Sequence, residues 1–444
     1  MALKIQAVDP DFRVSVKWPP STEMAHTTAG ADLDGSVGEL TIAVRDKIAT
    51  AFKRDRGDVG AALNVPLYSL AEWIALNWWP LLFEPGKGEK IEDDPEFRAR
   101  HWMGAARDGF ALPDLWFLPA GTKMDLQAAD VYLRFARLTF TTQIDESVSL
   151  ASVRDALAKF VTDVLGHLDR LGVRNTEAHQ AWALVQSTTA AQEEYCRLIG
   201  SLGISPYDEN VRIDSLLESL SGDVDPKILT DLFQAADVAS IGHSAELAKR
   251  LYHALPSASE LDIEPLSDIV LPEDRTPQAW RWGVDATASV RAGMGITNSD
   301  PQSGDAFFER LGLDLGNIST VPANGSAQGV DITAGLQREA GGDTRIAVVG
   351  DSEPHRRFAA ARAAFIAWTA PEKSSRLITR ARTRDQQASR AFAAEMLAPI
   401  GYIRKRLGSG SPVSSYRIDG VATELNVSPQ VVEFQARNNR IAVV

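Results

Sequence analysis

Two stretches decide how this chain is read. One is Arg356-Arg357-Phe358-Ala359-Ala360-Ala361-Arg362-Ala363-Ala364-Phe365-Ile366, and the other is Gln386-Gln387-Ala388-Ser389-Arg390-Ala391-Phe392-Ala393-Ala394-Glu395-Met396-Leu397-Ala398-Pro399. In the first, Phe358, Ala361, Phe365 and Trp368 recur at offsets of 3, 7 and 10, the spacing of one helix face. A plain core helix accounts for those apolar positions. It does not account for the Arg-Phe lead-in or for the Phe-Ala-Ala-Glu run.

Those two features resemble the ImmA/IrrE family of metallopeptidases. In that family an Arg-Phe pair leads into a helix bearing H-E-x-x-H, and a later helix ends in Phe-Ala-Ala-Glu-Leu-Leu-x-Pro. Phe392 to Pro399 keeps the second run almost letter for letter. The resemblance lays Arg362 on the first His, Ala363 on the catalytic Glu and Ile366 on the second His, and puts the third ligand near Gln386 to Ala388. In H-E-x-x-H the two imidazoles, one helical turn apart, converge on one zinc ion while the Glu takes a proton from the bound water. A guanidinium is permanently protonated and repels a dication, an alanine carries no base, and an isoleucine can only pack. The expectation is therefore a zincin-like frame with a degenerate motif, a pseudopeptidase without catalytic residues or cofactor. Its former cleft would be lined by Arg357, Arg362, Gln386, Gln387, Arg390 and Glu395, with Arg357, Arg362 and Arg390 forming an anion-binding patch. A rebuilt zinc site would have to draw on His355, Asp385 and Glu395, with Asp351 and Glu353 as further local carboxylates.

The resemblance spans residues 275–444. Ala288 to Ile296 and Ala306 to Leu313 correspond to the family's opening helices, and Thr344 to Val349 to the strand before the metal-binding helix. At the end of the chain, Gly420 to Arg440 has the apolar spacing of a helix-turn-helix, with Ala422 between the helices, Asn426 in the turn and Val432 facing the core. If that pair reads DNA, Gln430, Gln435, Arg437 and Arg440 would point toward the groove or the phosphates.

The rest of the chain is expected to be α+β at its start and helical in its middle. With 444 residues, two or three domains are expected. Phe12 to Trp18, Leu40 to Arg45, Asp114 to Leu118 and Val131 to Phe140 alternate as strands of a mostly antiparallel sheet, and Pro66 to Pro80 has helical spacing. Residues 1–147 are read as an α+β domain of unknown role and 148–262 as a helical domain, with Ser149 capping a helix through Val153, Leu157, Phe160, Val161 and Leu165. The Pro-, Asp- and Glu-rich stretch from Pro256 to Pro277 reads as a linker to the C-terminal, mostly helical domain with a small sheet.

Composition narrows the setting. Apolar content of 44% and charged content of 24% are those of a soluble globular protein. The opening Met1 to Pro10 lacks the apolar core of a signal peptide, and no segment is apolar enough to cross a bilayer. With Cys196 as the single cysteine, the expected location is the cytoplasm. The net charge of −13 argues against the whole molecule binding nucleic acid. Residues 355–406 run the other way, with twelve Lys or Arg against three acids, an excess of nine positive charges that leaves −22 for the remainder. Such a basic face could hold a nucleic acid, an acidic protein partner or the chain's own acidic N-terminal half. The leading expectation is a non-catalytic regulatory protein linked to a helix-turn-helix transcription regulator in a phage, stress-response or toxin-antitoxin setting, as the resemblance implies. The alternatives are a zinc endopeptidase with atypical ligands that cleaves a repressor, and a DNA-binding regulator using the basic C-terminal region.

Overall fold

The computed structural model describes residues 11–20, 30–87, 91–274, 276–297, 300–323, 332–341, 343–350, 352–371, 373–408 and 412–444. Helix accounts for 50% and sheet for 19%, and among the described residues all but one of the strand pairings are antiparallel, which makes the chain α+β. It divides into two compact units, Met1–Glu209 and Asn210–Val444. Residues 148–262, read above as helical, contribute to both. None of the described helices is long and apolar enough to cross a membrane.

The first unit opens with β1 (Phe12–Lys17), α1 (Ala31–Gly35), β2 (Val37–Val44), β3 (Lys47–Ile48), β4 (Phe52–Arg54), β5 (Val59–Gly60) and β6 (Leu63–Pro66). Strand β2 pairs antiparallel with β1, from Phe12 opposite Val44 to Lys17 opposite Glu39, and its alternation turns Leu40, Ile42 and Val44 inward. Helices α2 (Tyr68–Leu76) and α3 (Trp78–Phe83) replace the single helix expected over Pro66 to Pro80. Pro80 has no N–H to give the carbonyl of Leu76, so the first helix stops at Asn77 and the proline falls in the first turn of the next. After α4 (Pro95–His101) come β7 (Leu115–Ala120), β8 (Lys123–Ala128), β9 (Val131–Leu133), β10 (Leu138–Phe140) and β11 (Ile144–Ser149). The expected strand over Val131 to Phe140 is a hairpin instead, turned by residues 134–137 with Arg137 at φ +50°. The unit closes with α5 (Leu150–Arg170), α6 (Glu177–Ser187) and α7 (Ala190–Ser201). Helix α5 begins after Ser149 as expected and buries Val153, Leu157, Phe160, Val161 and Leu165, although the Ser149 side chain makes no capping hydrogen bond.

Glu84, just after α3, is a buried carboxylate. Arg100 grips it through Nε and Nη2, each at 2.8 Å, while His101 Nε2 lies 3.0 Å from its Oε2 and His101 Nδ1 lies 2.9 Å from the Phe117 carbonyl. Gly203, at φ +82°, passes against the pair, and a Cβ there would collide with both Glu84 and Arg100.

The second unit runs α8 (Val211–Ser221), α9 (Pro226–Ala235), α10 (Ile241–Ala254), β12 (Ser259–Glu260), α11 (Glu264–Ser267), α12 (Ala279–Met294) and α13 (Ser303–Arg310). It continues with β13 (Thr320–Val321), β14 (Ile332–Arg338), β15 (Thr344–Val349), α14 (Glu353–Thr369), β16 (Ser374–Thr379) and α15 (Arg384–Leu397). It ends with α16 (Ile400–Leu407), α17 (Ser415–Leu425) and α18 (Pro429–Asn438). The sheet has the order β12-β15-β14-β16, all antiparallel, with β13 parallel to β15. Alternation along β14 turns Ala334 and Leu336 into the core shared with α14, while Gly335 meets Leu251 and Leu255 at the end of α10 on the opposite face. The stretch expected as a linker from Pro256 is packed structure: β12 pairs with β15, and Leu261, Ile263 and Leu266 are buried in the core. Its apolar residues outweigh the Pro and acid signals once a partner surface is present. Helix α12 lies close along α15, where a Cβ on Gly283 would run into the Ala388 carbonyl and Thr287 Oγ1 donates to the Phe392 carbonyl at 3.2 Å.

Burial pushes the Glu84 carboxyl up, but hydrogen bonds and charge from His101 and Arg100 outweigh it and hold it at about 2. A depressed carboxylate adds stability that is full above its unfolded value and is lost as pH falls toward the folded one. The expected loss is about 3 kcal/mol between pH 4.5 and about 2. Denaturant unfolding of the wild type and of Glu84→Gln checks this: the variant should be weaker at neutral pH and change less across that acid range.

Candidate functional site

Helices α14 and α15 and the strand between them bring the two decisive stretches together around Arg362. The residue lies on the inner face of α14, is 2% exposed, and spreads its donors over three other elements. Its Nε donates to Ser389 Oγ at 3.1 Å and its Nη2 to Gln386 Oε1 at 2.7 Å, both on α15. The same Nη2 reaches the Thr379 carbonyl at the end of β16 at 2.5 Å, and Nη1 reaches Thr333 Oγ1 on β14 at 3.5 Å. Gln386 completes the lock by accepting from Thr379 N at 3.0 Å and donating to the Leu377 carbonyl at 2.8 Å. Where the resemblance expects ligands converging on a metal, this chain places a guanidinium that crosslinks helix, strand and helix.

Among the described residues every hydrogen-bond partner of that guanidinium is neutral. Asp385, a carboxylate whose charge reaches Arg362, receives Arg376 Nη2 and the Thr383 hydroxyl and accepts from its own neighbour Gln386 N at 2.8 Å. Arg376 is shared with Asp231 of α9, which takes its Nε at 2.8 Å and its Nη2 at 3.0 Å and also accepts from Leu377 N at 2.8 Å. Burial pushes the Asp231 carboxyl up, against the pull of Arg376. Burial also pushes Asp385 up, but Arg376, the Thr383 hydroxyl and the Gln386 N–H outweigh it and leave it below the usual range. For Arg362, burial first and then the charge of Arg390 drive the guanidinium well below its ordinary value.

The remaining candidates separate into distinct environments. Ala363 and Ile366 are fully buried among apolar neighbours. Arg357, placed in the same cleft by the sequence, is paired with Asp305 of α13 and lies over the Phe308 ring at 5.7 Å, so it does not join Arg362. Gln387 Nε2 donates to the Arg382 carbonyl at 2.7 Å. Arg390 stays beside Arg362, donating to the Thr379 carbonyl at 3.3 Å and the Ala381 carbonyl at 3.1 Å. Glu395 faces the C-terminal helices: it accepts from Gln435 Nε2 at 2.7 Å and from Ile400 N at 3.3 Å, capping α16. Asp385 and Glu395 stand ten residues apart on one helix, about 15 Å along its axis, too far to share an ion with His355. Asp351 lies outside the described residues. Among the described residues no group of three His, Cys, Asp or Glu side chains is arranged to hold a metal.

Helices α17 and α18 have the expected form, with Asn426 in the left-handed turn at φ 51° and with Ala422 and Val432 buried. Gln430 and Arg440 are exposed, and Arg437 is exposed but bridged to Glu433. Gln435 departs from the expectation, because it turns inward to Glu395 and the Ala398 carbonyl. Asp231, Thr333, Thr379 and Ser389 escaped sequence reasoning. For Asp231 the signal was present: an acid inside the apolar run Ile228-Leu229-Thr230-Asp231-Leu232-Phe233.

With this geometry in hand, known proteins add nothing: no family model, curated protein or solved structure matches the chain.

Arg362→Met keeps much of the volume but strands Gln386, the Thr379 carbonyl and Ser389 without their donor. It should lower unfolding stability by about 2–4 kcal/mol, and an unchanged denaturation midpoint would show that the crosslink carries no weight. Asp231→Asn leaves Arg376 with half its counter-charge and should cost about 3 kcal/mol in the same measurement.

Proposed function

We propose that this chain is a non-catalytic, partner-binding regulatory protein, with residues 275–444 as an ImmA/IrrE-like frame whose metal site has been given over to structure. The observation that carries this reading is Arg362, buried and spent on internal hydrogen bonds at the position of the first expected ligand, beside an apolar Ala363 and Ile366. None of the three offers a base, a nucleophile or a lone pair to a metal. The resemblance implies a helix-turn-helix regulator as the partner, and the reading sets the protein in the cytoplasm.

Atypical zinc ligands are the rival reading, and the spacing of Asp385 and Glu395 on one helix weighs against them. A DNA role is weakened by the inward Gln435 and by the Glu433 that neutralises Arg437.

Elemental analysis of the purified protein decides between the first two. The expected zinc content is far below one ion per chain and is unchanged by a chelator. Stoichiometric, chelator-sensitive zinc together with cleavage of a repressor would sink the proposal. Co-expression with candidate helix-turn-helix regulators tests the partner directly, through formation of a stable complex on gel filtration.

A further inference from the structure

The corner where β16 turns into α15 carries more positive charge than the fold neutralises. Arg362 and Arg390 both donate to one oxygen, the Thr379 carbonyl, so two guanidinium groups lie side by side. The connecting loop adds Arg380, which is exposed, and Arg382, which is half-buried. Among the described residues none of these four arginines forms an ion pair. Asp385, the carboxylate that faces them, is already bound by Arg376. His355, at the start of α14, is pushed down by burial and then by Arg380 and Arg362, which places it in the same field. Burial and then Arg382 bring Arg390 down to about 10, although Asp385 pulls the other way. Like charges held side by side repel, so an arriving anion gains both its own attraction and the relief of that repulsion.

We infer that this corner docks an acidic peptide segment of the partner, its carboxylates received by Arg380, Arg382 and Arg390 above the buried Arg362. Guanidinium groups match carboxylates in a planar fork and shed water readily. The rest of the chain decides between an acidic peptide and a nucleic acid. Outside residues 355–406 it carries −22, which repels a long polyphosphate, whereas a short acidic segment needs only the field within about 8 Å of the corner. The inference deepens the partner-binding reading and rests on it, because it supplies the chemistry of the partner's contact.

The test is fluorescence anisotropy of the full chain with a labelled poly-glutamate peptide at low salt, with labelled duplex DNA in parallel. The double variant Arg380→Glu/Arg382→Glu reverses the corner, and Arg404→Glu/Lys405→Glu makes the same charge change at exposed positions of α16. Should the reversed variant unfold, Arg380→Gln/Arg382→Gln removes the charge without reversing it, and circular dichroism shows which proteins are folded. The expected result is peptide binding that weakens with salt, falls about tenfold in the corner variant and changes by no more than about twofold in the α16 variant. Absence of peptide binding, equal losses in both variants, or tighter binding of DNA than of peptide overturns the inference. Zinc content reports separately: stoichiometric metal would remove the proposed function and leave the peptide result standing.

Discussion

A buried guanidinium with no carboxylate partner among the described residues is the constraint around which the second unit is arranged. Taking a charge out of water is costly unless its hydrogen bonds are met, and Arg362 meets them with a hydroxyl, a carboxamide and a main-chain carbonyl. Those acceptors come from α15 and β16, so the helix, the strand end and the second helix must be in register before the charge can be buried. Gln386 is the joint, because the same carboxamide oxygen serves Arg362 and Thr379 N while its nitrogen serves the Leu377 carbonyl. A metal ion would hold such elements through ligand bonds. Here a network of hydrogen bonds does so.

A second network next to the first divides the charge unevenly. Asp231 and Asp385 both converge on Arg376, which ties α9 to the strand at the edge of the sheet and leaves little carboxylate for the arginines of the following loop. The resulting surplus at Arg362 and Arg390 reflects both the scarcity of acids in residues 355–406 and the hold of Arg376 on the acids nearby. Further along α15 the pattern changes again. Arg291 of α12 donates to the carbonyls of Glu395 and Met396, each at 2.9 Å, capping the C-terminal end of the helix, and the Glu395 side chain fastens α16 and α18 through Ile400 N and Gln435. The glutamate of the Phe-Ala-Ala-Glu run is thus explained by helix capping and packing.

Local patterns carried much of the fold. Alternation identified β1, β2 and β7, helical spacing identified α5 and α14, the resemblance supplied the helix at α15, and the Gly420 to Arg440 spacing identified the helix pair with Asn426 in its turn. Failures came where a local signal had more than one outcome. Alternation runs through a tight turn as well as through a strand, so Val131 to Phe140 has the pattern of one element although it folds as two. Pro and acidic residues mark a linker only if the intervening apolar residues find nothing to pack against, and Leu261, Ile263 and Leu266 do find it.

The sequence by itself determined the periodic elements, the identities of Arg362, Ala363 and Ile366 where the resemblance implies metal-binding side chains, and the concentration of positive charge in residues 355–406. Only the tertiary structure decided which charges are neutralised. Asp231 lies 145 positions before Arg376, Gln435 lies 40 after Glu395, and Arg357 is claimed by Asp305 from 52 positions away. Hydrogen bonds and ion pairs act over a few ångströms in space and carry no period along the chain, so their partners become visible only when distant segments have been packed together.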